Sequence, residues 1–159
     1  MNDAPRKWLE LTVCIAIVFA AALAASLAMG LSDRSWYESL HKPTWNPPDW
    51  LFGPVWSILY LLMVVSAWLI WRERPRPQCR RAIAVFVVQL LLNAVWTSLF
   101  FALQSPLAAM ADISLLWLAI LATIGFFLRI RPLAAVLLLP YLLWVSFAWM
   151  LNLAIWRLN

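Results

Sequence analysis

Charge, histidine and cysteine are scarce in this chain, and each shortage excludes something. Only 12% of its 159 residues are charged while 65% are hydrophobic, against roughly a quarter charged in a soluble domain, so water is not its main solvent. One histidine and two cysteines cannot assemble a metal cluster. Cys14 lies in an apolar run and Cys79 in a basic connection, settings that argue against a disulfide between them. There is no general acid–base dyad and no activated nucleophile. Of the seven acidic residues only Asp112 lies well inside an apolar run, and a lone buried acid without an opposing base makes a thin ion relay, which disfavours a channel or pump. The net charge of +5 comes from arginines that flank apolar runs, so nucleic acid is not an expected partner.

Five apolar runs are present instead: Trp8 to Gly30, Leu51 to Trp71, Ala82 to Leu103, Leu107 to Leu128 and Leu133 to Trp156. Each can cross a hydrocarbon core of about 30 Å, which takes roughly 20 helical residues. The expected fold is all-α: a polytopic membrane protein whose five transmembrane helices form one bundle, a single domain over residues 1–159. The first run is too long and too evenly Ala-rich for a signal-peptide core and is read as a retained span. Its Ala22, Ser26 and Gly30, four residues apart, suit close helix packing. Proline marks each sharp break, in "RERPRPQCRR", "QSP" and "RIRP". The two tight connections make the third, fourth and fifth spans antiparallel neighbours. Lys and Arg number nine on the side of the N-terminus and three on the other, which predicts a cytoplasmic N-terminus. A bacterial inner membrane is expected, with an outer membrane left open.

Polar residues inside the spans recur at helical spacing. Gln89, Asn93, Trp96 or Thr97, Phe100 and Gln104 share one face of the third span, and Tyr141, Trp144, Ala148 and Asn152 one face of the fifth. The second span adds Trp56 and Tyr60. Asp112 lies about 8 Å below the outer surface at 1.5 Å per residue. Counted from the outer ends, Trp56, Trp96, Asp112 and Asn152 fall in the outer half, with Asn93 and Trp144 nearer the middle. Pro140 should bend the fifth span by freeing the Val136 carbonyl. A competing reading makes these residues interhelical glue, with Trp8, Trp71 and Trp156 in an interfacial belt.

The one long connection, "WYESLHKPTWNPPDW", holds Trp36, Trp45 and Trp50 with Pro43, Pro47 and Pro48. Its prolines forbid a regular helix and lower the entropy lost on ordering, so it is read as a lid over an outer-side pocket. A tryptophan anchor lying in the headgroups is the alternative.

The segments "WYESLHKPTWNPPDWLFGPVWSILY", "QLLLNAVWTSLFF", "MADISLLW" and "PYLLWVSFAWMLNLAIWRLN" together resemble the translocator protein, or tryptophan-rich sensory protein, family over nearly the whole chain. The resemblance implies a five-helix bundle, commonly a homodimer, with a pocket under the first loop that binds porphyrins. In animal relatives it implies cholesterol and benzodiazepine-type drugs as well. Trp36, Tyr37, Pro47, Trp56, Asn93 and Trp144 match family pocket positions. Leu153 and Ala154 stand where animal relatives carry a tyrosine in a proposed cholesterol motif, so a porphyrin or haem ligand is expected rather than a sterol. Arg34 and Lys42 could meet porphyrin propionates while indoles stack on the macrocycle. No resident cofactor is required. The leading expectation is a receptor or carrier for lipophilic tetrapyrroles. Some relatives resemble light-dependent porphyrin oxidases, and there Trp56 and Trp144 match the implicated indoles.

Overall fold

The computed structural model describes residues 4–30, 34–73 and 76–159, and the regular structure among them is helical. Expectations resting on the side chains of Arg6, Lys7 and Arg34, or on Arg74, lie outside the described part. The helices are α1 (Ala4–Gly30), α2 (Arg34–Ser39), α3 (Phe52–Trp71), α4 (Pro77–Thr97), α5 (Pro106–Leu128), α6 (Pro132–Val136) and α7 (Leu139–Leu158). Five segments are long and apolar enough to cross a membrane: Trp8–Gly30, Asp49–Trp71, Pro77–Ala102, Pro106–Leu128 and Pro132–Leu158. The chain is an integral, multi-pass membrane protein.

Proline sets where these helices begin. Pro77, Pro106, Pro132 and Pro140 each occupy the first turn of a helix, where the missing N–H would have had no partner and the fixed φ suits the helix. The prolines of the basic connection therefore start a helix as well as ending one: α4 begins at Pro77 rather than Ala82, and Arg80 and Arg81 are already helical. The bend expected at Pro140 appears as the turn at Leu137 and Leu138 that separates α6 from α7. The long connection is less irregular than its prolines suggested. Helix α2 precedes Pro43, and a 3₁₀ turn at Asp49–Leu51 follows Pro48.

Helix α4 does not end as an α-helix. Over Ser98–Ala102 it widens into a π turn, with the Leu103 N–H donating to the Ser98 carbonyl at 2.9 Å and the Ser105 N–H to the Leu99 carbonyl at 3.0 Å. Gln104 then takes φ of 50° and is exposed. It is off the polar stripe, because the helix ends and the register changes before it.

Helix α4 packs on α1, α3 and α5; α5 packs on α7; α6 packs on α3 and α5. Where α5 meets α7, two Ser–x–x–Trp segments clasp each other. The Trp117 indole N–H donates to Ser146 Oγ at 2.9 Å, and the Trp149 N–H donates to Ser114 Oγ at 3.0 Å. Each serine passes its own proton to a carbonyl four residues back, Ser146 to Leu142 and Ser114 to Met110, at 2.8 Å. Helix α3 meets α6 at the arginine-rich end, where Ser66 Oγ donates to the Ala134 carbonyl at 2.6 Å. At that end Glu73 accepts from Arg131 at 3.3 Å and pairs with Arg76 at 3.4 Å. On α1, Ser26 and Gly30 are exposed, and nothing lies within 4 Å of where a Gly30 Cβ would stand. The outer two members of the small-residue stripe thus lie open among the described residues, while Ala22 is half-buried.

Candidate functional site

The polar groups expected inside the bundle converge on Asn93. Its stripe faces the core, with Gln89, Asn93, Thr97 and Phe100 all buried. The Tyr60 hydroxyl, from α3, donates to Asn93 Oδ1 at 3.0 Å, and Asn93 Nδ2 donates to the Tyr141 hydroxyl of α7 at 3.3 Å. One amide thereby ties three helices at mid-membrane. Trp56, one turn above Tyr60, lies tilted on that ring at 5.5 Å and edge-on to Tyr141 at 6.3 Å. Asp112 is buried on α5 and within electrostatic reach of Tyr141.

Above this node the aromatic residues divide into two groups. Phe100, swung inward by the π turn, stacks on Trp96 at 5.5 Å and receives the edges of Trp36 at 5.7 Å and Tyr37 at 6.4 Å. Tyr37 also packs on Phe101 at 5.5 Å, and Lys42 Nζ stands 3.9 Å from the Tyr37 ring centroid. The second group runs along α7: Trp45 meets Phe147 at 5.7 Å, Phe147 meets Trp144 at 5.5 Å, and Trp144 meets Phe52 at 5.8 Å. One half of the long connection therefore sits on the end of α4 and the other half on α7. Burial, reinforced by the negative charge of Asp49, raises the Tyr37 phenol above its ordinary 10.0. The connection is also tied at its middle: Asn159 Oδ1 accepts from the His41 N–H at 2.9 Å, and Asn159 Nδ2 donates to the His41 carbonyl at 3.0 Å.

Not every expected site residue joins these groups. Asn152 turns its amide toward α5, donating to the Pro106 carbonyl at 2.9 Å and meeting Met110 Sδ at 3.5 Å. Ala148 is half-buried against the core. Pro47 is half-buried in the loop, where its carbonyl accepts from Asn46 Nδ2 at 3.0 Å. Several polar atoms are buried with no hydrogen-bond partner among the described residues: Trp96 Nε1, Asp112 Oδ2 and Asn152 Oδ1, together with Asn46 Oδ1 in the loop, both amide atoms of Gln89, and Trp68 Nε1. Buried polar groups are nearly always paired, so such atoms call for a missing partner. Among the described residues no group of His, Cys, Asp and Glu could hold a metal ion. Phe52, Phe101 and Phe147 are site residues that the sequence reading does not contain; their sequence signal is weak, Phe101 following Phe100 and Phe52 and Phe147 standing two and three residues after Trp50 and Trp144.

A sequence model described as the TspO/MBR family matches residues 12–157. The chain belongs to the TspO/MBR family. It is 42% identical over 155 residues to the tryptophan-rich protein TspO of Chlorobaculum tepidum, covering 97% of this chain and 98% of that one. It is also 42% identical over 151 residues to the tryptophan-rich protein TspO of Archaeoglobus fulgidus, covering 95% and 97%. The human translocator protein is 38% identical over 126 residues, 78% of this chain and 75% of the human one. The TspO/MBR match takes in α3 to α6 whole and most of α1 and α7, and thus every ring and amide described above except the Asn159 amide.

Proposed function

We propose that this TspO/MBR protein is a membrane receptor or carrier that binds a porphyrin, haem or similar lipophilic tetrapyrrole among Trp36, Tyr37, Trp56, Tyr60, Asn93, Trp96, Asp112, Tyr141 and Trp144. The observation that carries this reading is the set of buried, partnerless polar atoms, Trp96 Nε1 and Asp112 Oδ2, beside walls made of aromatic rings. A planar apolar ligand with a few polar groups supplies what such a site lacks. Lys42, held over Tyr37 at the loop, is placed to meet a propionate. The connection from Trp36 to Trp50 acts as the lid, the membrane is a bacterial inner membrane, and the N-terminus is cytoplasmic with the lid facing outward. The working form is a homodimer within a sensory or transport role.

Titration of the reconstituted protein with protoporphyrin IX in the dark, followed by indole fluorescence, tests the reading. Saturable quenching that weakens in a Trp56→Phe/Trp144→Phe variant is expected; unchanged affinity in that variant would sink the shared site. A second reading, light-driven oxidation of the bound porphyrin, is favoured by the contact of Trp56 with two oxidisable phenols, Tyr60 and Tyr141. Illumination in air separates the two, since only the oxidation yields a modified tetrapyrrole whose formation slows in the double variant.

A further inference from the structure

We infer that the notch between α3 and α7 is a binding site for one acyl chain of a bilayer lipid, with Trp144 as one of its walls. The notch has a volume of about 400 Å³ and is lined by Val55, Ile58 and Leu59 of α3 and by Pro140, Leu143, Trp144 and Phe147 of α7. It exists because α3 packs on α6 while the turn at Leu137 and Leu138 sets α7 on a different course. Beyond that turn long side chains bridge the two helices, Phe52 on Trp144 and Trp56 on Tyr141.

Depth and chemistry identify the occupant. Val55, the wall residue nearest a span end, lies six residues inside Asp49, or about 9 Å at the helical rise. The notch therefore opens onto hydrocarbon rather than headgroups or water. Its walls offer no charged group, hydroxyl or carboxamide, and the indole N–H of Trp144 is the only side-chain polar atom among them. A headgroup or an aqueous solute would lose its hydration there without compensation. Ile58 and Leu143 form an exposed rim, at 58% and 70%, whereas Leu59 behind them is only 3% exposed. A methylene chain entering from the bilayer would touch all seven walls and replace dispersion contacts that an empty notch forfeits. It would also press on the Trp144 ring, which packs on Phe52 and Phe147, so the lipid bears on the aromatic row under the loop. This assignment rests on the notch alone and not on the proposed tetrapyrrole site.

The test uses the full chain reconstituted into phosphatidylcholine vesicles doped with a phosphatidylcholine that carries a mid-chain diazirine. After irradiation, adducts are mapped by peptide mass spectrometry. Adducts on Leu59 and Trp144 are expected beside those on the rim, while exposed Leu91 on α4 reports lipid that merely passes. Ile58→Trp, which fills the notch, should lower the Leu59 and Trp144 adducts about tenfold, the equivalent of ~1.4 kcal/mol, with Leu91 labelling unchanged. Val55→Phe repeats the experiment if Ile58→Trp fails to fold. Adducts confined to Ile58 and Leu143, or undiminished in a folded, filled variant, would overturn the assignment. So would loss of the Leu59 and Trp144 adducts on adding protoporphyrin IX to saturation with Leu91 labelling intact, which would give the notch to the tetrapyrrole.

Discussion

Helix α7 meets its two neighbours in opposite ways. Toward α5 it presents Ser146 and Trp149, whose polar atoms and those of Ser114 and Trp117 satisfy one another across a close seam. Toward α3 it presents Tyr141, Trp144 and Phe147, rings that span a gap and leave a notch. In a bilayer, burying apolar surface between helices gains little over burying it in lipid, so small residues and interhelical hydrogen bonds fix a helix pair. The α5–α7 seam has both. The α3–α7 gap has neither apart from the Tyr60–Asn93–Tyr141 link, and its large side chains hold the backbones apart. The same helix thus carries a face that fixes it in place and a face that leaves room for a guest.

The sharpest break of this comparison is Asn93→Ala. It strands the Tyr60 hydroxyl and the fully buried Tyr141 hydroxyl together, and each buried orphan costs about 1–3 kcal/mol. Thermal unfolding in detergent should register a loss on the order of 3 kcal/mol; adding Tyr60→Phe and Tyr141→Phe should recover part of it. Next in size is Trp56→Phe with Trp144→Phe, expected to weaken protoporphyrin affinity about tenfold, as two aromatic contacts of roughly 0.5–1.5 kcal/mol imply, with little change in unfolding. The seam should behave the other way. Ser114→Ala with Ser146→Ala removes both indole acceptors and should destabilise by about 1 kcal/mol, given roughly 0.6 kcal/mol for an average bond of this kind in a bilayer. Porphyrin affinity should hold. If that pair lowers affinity as much as the Trp56/Trp144 pair does, the division of α7 into two faces fails.

Smaller effects test the loop. Asn159→Ala removes the clasp on His41 and should speed ligand release a few-fold, with the change in the off-rate rather than the on-rate. Hydrogen exchange across residues 36–50 should rise in the same variant. The least effect comes from pH. Because the Tyr37 phenol is raised above 10.0, its packing on Phe100 and Phe101 contributes fully below pH 10 and is lost only as pH climbs through the higher folded value. Phenolate absorbance should therefore include one late-titrating group that Tyr37→Phe removes, and loop protection factors, which divide out the base catalysis of exchange, should be flat from pH 7 to about 9.

The spans and their prolines were plain in the sequence, because a 30 Å hydrocarbon core imposes a length that composition alone reveals. So was the inward face of α4, since Asn93 and Gln89 repeat at helical spacing and have no place against lipid. Trp117 and Trp149 were not legible: each partner serine is on another helix, and pairing them requires the rotation of both helices, which no single-helix period contains. The same limit hid the turn of Asn152 toward Pro106. The apolar run begins at Ala82, later than α4 itself, because hydropathy stops at the arginines while the backbone, helped by Pro77, does not. Gln104 was misplaced because a constant 3.6-residue period was carried through a stretch that widens.

That widening has a consequence for how this family could vary. A π turn holds one more residue than the α turn it replaces, so it can be undone by a deletion, and one residue of α-helix corresponds to a rotation of about 100°. Removing Leu99 should restore an ordinary ladder, with Leu103 still closing on the Ser98 carbonyl, and shift Phe100 and Phe101 round the helix relative to Trp36 and Tyr37, while the residues beyond Leu103 and the rest of the bundle keep their places. A single codon lost or gained at this spot would thus redraw the aromatic mouth in one step, a larger change of shape than any point substitution there could make.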